Sequence, residues 1–272
     1  MGRPHDVPAP ERLWSSASSG PPPGWGRTAT HRFGAIDSTQ RIARVLARDP
    51  STVGDQVVAL AQKGGRGQGA HTWASPPGGL YLSLIRRAPP ATSAIVPIAL
   101  GVALAELFER RWSVPSRLRW PNDVVAARPV GPSRKVSGIL VDGVEMNTPR
   151  ARCVIGIGVN VRPLPDVVPE EVRSIASSIG EWASPPPPLS EVESEVVAAV
   201  DRALLDLERP AGVGGCLGRA RARLDGRGRI ALIDGRPAGR IDTLGEGGEL
   251  LLVDGLGPRR IVSGRLTIQD DP

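Results

Sequence analysis

Four glycines, Gly64, Gly65, Gly67 and Gly69, surround a single arginine, Arg66. Glycine at this density is costly inside a regular helix or strand, because it loses the most backbone freedom on ordering. It can instead expose successive backbone N–H groups and let an anion come close to the chain. Arg66 adds a planar fork of donors that matches phosphate or carboxylate. On its own such a run also reads as a plain surface loop. It does not follow GxxxxGK[ST], so no P-loop is implied. A second signal is the lysine count: of the 34 Lys and Arg residues, only Lys63 and Lys135 are lysines. In a chain that meets most needs for positive charge with arginine, a retained lysine points to a compact point charge.

These residues need elements to hold them. Residues 57–61 read as an apolar strand entering the glycine run, and residues 79–85 as a strand leaving it. Gln62, at the end of the first, reads as a solvated strand end. Lys135 opens a strand over 136–144. Gly156 and Gly158 then alternate with Ile155, Ile157 and Val159, and glycine inside a strand suggests close approach by a ligand or another backbone. Residues 31–37 read as a first strand. Ser38 reads as the N-cap of an amphipathic helix to about Ala47. Residues 94–111 predict a long, largely buried helix with Pro97 in its first turn. Residues 117–120 predict a short strand stopped by Pro121, Asn122-Asp123 a turn, and 126–134 a Pro/Gly loop. Residues 169–179 and 189–207 predict two helices, and a short helical segment precedes Leu224. From Gly226 the texture changes to strands at 229–233, 239–243, 249–253 and 259–263, separated by glycine turns, which suggests a small β-barrel.

A chain of 272 residues with 40% hydrophobic content can bury a sizeable core as one large domain, or one plus a small one. No apolar run approaches the roughly 18 residues of a membrane span, and no secretory leader is read. Cys153 and Cys216 form neither a disulfide framework nor a metal spacing, which fits a reducing, cytoplasmic setting. Residues 1–30 are rich in Pro, Gly and Ser and read as a disordered leader. A net charge of +6 raises nucleic acid as a partner. The arginines are spread along the chain rather than gathered on a recognition helix, so no nucleic-acid partner is expected.

The stretch from Gln62 to Ser83, QKGGRGQGAHTWASPPGGLYLS, resembles the GRGRxGRxWxSPxGxLYxS signature of biotin protein ligases. RWPND at 119–123, KVSGIL at 135–140 and IGIGVNV at 155–161 follow in that family's order. Ser38-Thr39-Gln40 fits its S-T-N/Q, and the resemblance covers roughly residues 31–268. It implies an α+β fold: a mixed sheet with helices packed on one side, of the class II synthetase-like biotin ligase type, plus a small C-terminal SH3-like β-barrel. The leader over 1–30, a catalytic biotin- and ATP-binding domain over 31–222 and an SH3-like domain over 223–272 follow. The leader is too short and proline-rich for the winged-helix repressor domain that some of these ligases carry. A monomer or weak homodimer is expected.

The activity implied is activation of biotin with ATP to biotinoyl-5′-AMP, then transfer to one lysine of the biotin carboxyl-carrier domain of a biotin-dependent carboxylase. Ser38, Thr39, Gln40 and Gln62 would meet the ureido ring, with Gly67 and Gln68 also on the biotin. A small neutral ring with N–H donors and a carbonyl suits such hydroxyls and amides. Arg66 and Lys135 would be catalytic through fixed positive charge at the biotin carboxyl and the α-phosphate. Asn122, Asp123 and Asn160 would join Arg66 on the nucleotide, and Asp123 would hold Mg2+. Trp73 would either cover the adenine or pack the loop. The pocket residues all lie before Val161 in this reading. Gln68 and His71 depart from the family, standing where it has arginines, and Ala70 replaces a glycine. A lipoate or octanoyl ligase of the same fold, and a non-enzymatic biotin-responsive DNA-binding regulator, are the alternatives.

Overall fold

A computed structural model describes residues 29–69, 71–89, 94–255 and 257–269. The leader as far as residue 28 and Ala70 lie outside the described residues. Seven strands form one sheet: β1 (Thr30–Ile36), β2 (Gln56–Gln62), β3 (Leu80–Arg87), β4 (Ser116–Arg119), β5 (Asp123–Ala126), β6 (Arg134–Val144) and β7 (Arg152–Val159). Their order is β1-β2-β3-β7-β6-β5-β4. Only β1 and β2 run parallel; the other pairs are antiparallel, so the sheet is mixed.

Period-2 alternation sorts each strand between two layers. Val58, Leu82, Leu84, Ile155, Ile157 and Val159 face the main core. There they meet α2 (Ile95–Trp112), α4 (Leu189–Leu207) and α5 (Gly212–Ala222). α2 is buried at Ile98, Leu100, Leu104 and Phe108, around most of its girth, as its uninterrupted apolar run predicts. Val57, Ala59, Ile85 and Val154 face the other way, into a second cluster beneath α1 (Thr39–Leu46). Helices on one side only is therefore corrected: α1 covers the opposite face, because Ile42 and Ala43 need an apolar surface of their own. Two buried ion pairs bolt α4 to the sheet, Arg32–Glu193 at 2.8 Å and Arg86–Asp201 at 2.7 Å. Arg32 meets its carboxylate with two nitrogens, each at 2.8 Å, the geometry that best offsets the cost of burying charge.

The C-terminal strands are β8 (Ile230–Ile233), β9 (Arg236–Leu244), β10 (Leu250–Asp254), β11 (Gly257–Ile261) and β12 (Leu266–Ile268). They form a separate antiparallel sheet of order β11-β10-β9-β8-β12. The fifth strand, β12, is absent from the sequence reading. It is three residues long and follows directly on the expected strand. Trp120 joins the two sheets, its indole N–H donating to Gly248 O at 2.8 Å.

Two local expectations also fail. Asp123 starts a strand rather than ending a turn, because β4 and β5 form a hairpin across 120–122. The helix expected over 169–179 is a single turn, α3 (Glu170–Arg173). Beyond it the backbone leaves the helical path to pair with β6: Lys135 N–H donates to Ile175 O at 2.8 Å, and Ser177 N–H donates to Lys135 O at 2.9 Å. Tertiary pairing outweighs local propensity there.

Candidate active site

A cavity of about 360 Å³ opens on the α1 side of the large sheet. Its floor is made of glycine. A Cβ on Gly158 would lie 2.5 Å from Trp73 Cε2, one on Gly138 would lie 2.8 Å from Trp73 Cζ3, and one on Gly156 would lie 2.5 Å from Gln40 Oε1. The close approach predicted for the strand glycines is thus real, and it is made by two side chains of the site itself. Trp73 lies across Gly138 and Gly158, so it packs the sheet floor. Its loop is pinned by Trp73 N–H to Gly65 O at 2.9 Å and by Tyr81 OH to Pro76 O at 2.6 Å. Burial pushes the Tyr81 phenol far above its ordinary pKa, so it acts only as a neutral donor.

One end of the cavity is neutral and polar. Gln62 Oε1 accepts from Thr39 N–H at 2.8 Å and from Thr39 Oγ1 at 3.1 Å, and Gln62 Nε2 donates to Ser75 Oγ at 2.9 Å. Ser83 Oγ is 2.9 Å from Thr39 Oγ1 and 3.0 Å from Gln40 Oε1. Ser38 is the backbone N-cap of α1, but its hydroxyl makes no capping bond and is buried without a partner. A buried hydroxyl left open at a cavity wall is a ready contact for a polar ligand atom. Ser83 was missed by the sequence reading. Its signal was there: a hydroxyl in the apolar run 80–85, in the parity that shares a face with Gly156.

The other end is charged. Lys135 Nζ lies 2.7 Å from Asp123 Oδ1 and 5.0 Å from the centre of the Trp73 ring. One ammonium does not use up the carboxylate, whose two oxygens together offer about four lone-pair sites. Magnesium needs one or two carboxylates and completes its shell with water and phosphate, so Asp123 fits it. No group of three or more metal-ligating side chains exists among the described residues, so no all-protein cage is built. Arg66, Gln68 and His71 rim the opening and are exposed. Gly67 also lines it, and its N–H donates to His71 O at 2.8 Å, closing the loop on itself.

Asn122 and Asn160, the two asparagines expected at the nucleotide, also have partners within the chain. Asn122 Nδ2 donates to Ile139 O at 2.7 Å, and Asn160 Nδ2 donates to Lys135 O at 3.2 Å and Ser177 O at 3.1 Å. Both border the cavity, but their amide N–H groups hold β6 in place. The expectation that the pocket ends before Val161 is corrected. Leu164, Val172 and Ile175 wall one side, and Arg265, Leu266 and Thr267 reach in from the second sheet. Arg119 also lines it, held by Asp225 at 2.8 Å. Lys135, Arg66, Arg119 and Arg265 against Asp123 leave the site net positive, suited to an anionic ligand.

Residues 33–160 match the Biotin/lipoate A/B protein ligase family. The chain is 33% identical over 152 residues to the Bifunctional ligase/repressor BirA of Bacillus subtilis, covering 54% of this chain and 45% of that one. It is 34% identical over 111 residues to the protein of the same name from Escherichia coli, covering 40% and 33%. Among solved structures, the biotin protein ligase from Aquifex aeolicus in complex with biotin and ATP superposes with a TM-score of 0.72 at 26% identity, covering 89% of this chain and 99% of that one. The matched region is thus under half the length of these curated relatives.

Proposed function

We propose, from the match of residues 33–160 to the Biotin/lipoate A/B protein ligase family, that this chain is an ATP-dependent biotin–protein ligase. The observation that carries the reading is one cavity with two unlike ends over a glycine floor. Hydroxyls and amides (Ser38, Thr39, Gln40, Gln62) suit a neutral ureido ring, and Lys135 with Arg66 suits a carboxylate meeting phosphate.

A carboxylate oxygen of biotin attacks the α-phosphorus of ATP; the new O–P bond forms as the bond to pyrophosphate breaks. The carboxylate is already the nucleophile, so alignment and charge neutralisation supply the catalysis. Lys135 holds both anionic partners from one side, positioned by the backbone bonds to Ile175 and Ser177. Arg66 closes from the rim. Magnesium, when bound with the nucleotide, neutralises phosphate charge, and Asp123 is the residue that would hold it. A neutral lysine amine of a carrier domain then attacks the acyl carbon, AMP leaves, and the amine loses a proton. Neither cysteine takes part: both are buried, and burial pushes the Cys153 thiol up to about 12.

Among the described residues no helix is long and apolar enough to cross a membrane. With both thiols free, we place the protein in the cytoplasm, acting on the carrier domain of a biotin-dependent carboxylase. The deciding experiment is pyrophosphate–ATP exchange with biotin or lipoate as the acid, followed by biotin transfer to a carrier domain. Exchange with lipoate and not biotin would overturn the reading.

A further inference from the structure

Resting on the biotin reading above, we propose that Asp142 is a positioning residue: it fixes the Gln40 amide as a hydrogen-bond acceptor toward the ligand, and so makes a ring N–H a requirement for tight binding.

Gln40 is buried, 3% exposed, in the first turn of α1. Its Nε2 donates to Asp142 Oδ2 at 3.1 Å and to Val154 O at 3.1 Å. A carboxylate and a carbonyl only accept. The NH2 group must therefore face them, and the amide cannot turn over. Both acceptors come from one cross-strand pair, since Asp142 on β6 lies opposite Val154 on β7. Arg44, one helical turn beyond Gln40, holds the same Oδ2 at 3.3 Å and keeps the carboxylate in place.

Gln40 Oε1 is left above Gly156 on the cavity wall. Its present partner is Ser83 Oγ at 3.0 Å. Ser83 has one proton and a second acceptor, Thr39 Oγ1 at 2.9 Å, whose own proton is directed to Gln62 Oε1. A ligand N–H can take Oε1 while the Ser83 proton settles on Thr39, and none of Gln40, Ser83 and Thr39 loses its partner. A ligand carbonyl in the same place meets an oxygen with no proton to give. Discrimination then comes from repulsion as well as attraction.

The test is calorimetric titration of the full chain with biotin and with two biotin analogues, each methylated on one ureido nitrogen. Wild type is compared with Asp142→Leu, Asp142→Ala and Asp142→Asn. The carboxylate is about one-quarter exposed, 23%, and the alanine variant decides if the leucine variant does not fold. Wild type is expected to reject one of the two analogues. Asp142→Leu and Asp142→Ala are expected to weaken biotin about tenfold, the scale of one net hydrogen bond. Affinity for the rejected analogue stays within about twofold, so the discrimination collapses. Asp142→Asn, whose Oδ1 still accepts from Gln40, retains most of it. Equal weakening of biotin and analogue, or no weakening of biotin, overturns the proposal. Wild type that binds no biotin overturns the functional reading itself.

Discussion

Replacing Gly158 with alanine tests the glycine floor directly. The new Cβ would lie 2.5 Å from Trp73 Cε2, 2.6 Å from Nε1 and 2.9 Å from Cζ2. Carbon atoms in comfortable contact sit about 3.5–4.0 Å apart, so the indole must retreat by roughly 1 Å. Gly158 does not have a left-handed backbone, so its alanine adds no dihedral strain. The strand cannot yield, because β7 is hydrogen-bonded to β3 and β6 on both sides. The Trp73 backbone is held too, by Gly65 O at 2.9 Å and by Ser75 Oγ at 3.1 Å. Relief comes from swinging the ring into the cavity, at a cost typical of overpacking, about 1–3 kcal/mol. The indole then stands where ligand must bind, so the whole cost falls on the complex. Biotin and nucleotide affinity should drop roughly 5- to 150-fold, with the melting temperature near that of wild type. Calorimetric titration and thermal melting measure the two. A double-mutant cycle with Trp73→Leu should be strongly non-additive, since a smaller side chain removes the clash. Wild-type affinity in Gly158→Ala, or additive effects in the cycle, would refute the reasoning.

Lys135→Ala should keep the fold and slow adenylate formation on the order of 100-fold, the scale for losing one preorganised charge donor. Lys135→Arg should also impair, because a longer planar fork places its charge at different points from the compact ammonium that lies 2.7 Å from Asp123; pre-steady-state quench kinetics with biotin and ATP reads both. Gln68 stands exposed at the rim, and Gln68→Arg should slow dissociation of preformed biotinoyl-AMP; an unchanged off-rate would show that the rim does not hold the adenylate. Gly218 in α5 has nothing within 4 Å of where an added methyl would sit and lacks a left-handed backbone, so Gly218→Ala should stabilise the protein by about 0.5–1 kcal/mol in urea denaturation. Cys153, its thiol pushed up to about 12 by burial, should resist thiol reagents at pH 8 in the native protein and react at once in denaturant; fast native labelling would contradict its placement in the core.

Much of this was legible because patterning and local chemistry agreed. The alternation Ile155-Gly156-Ile157-Gly158-Val159 gives a strand with side chains on one face and none on the other at Gly156 and Gly158, and the cavity lies on the bare side. Residues 189–207 carry helical periodicity with a proline before the first turn, and α4 occupies that span. The failures share a cause. Residues 169–179 look helical in isolation, and only the partner strand at Lys135 reveals why they are not. The bonds that Asn122 and Asn160 make to backbone carbonyls of β6 were equally hidden, because they depend on which strand lies alongside. The contribution of Arg265 to the cavity depends on how the second sheet docks, through Trp120 and Gly248, which no local pattern encodes.

A cavity floored by glycine inside an antiparallel sheet has one stationary wall. The shape of that wall is written in backbone hydrogen bonds, so ligand binding costs it almost no reorganisation, and it responds to neither rotamer changes nor loop motion. The opposite wall, with Arg66, Gly67, Gln68 and His71, is held by a few backbone bonds and is mostly exposed. The roof is therefore the wall that side chains shape and the floor the wall that the backbone shapes. The two can be altered independently: substitutions in the exposed loop reshape the roof without touching the strand pairing that fixes the floor.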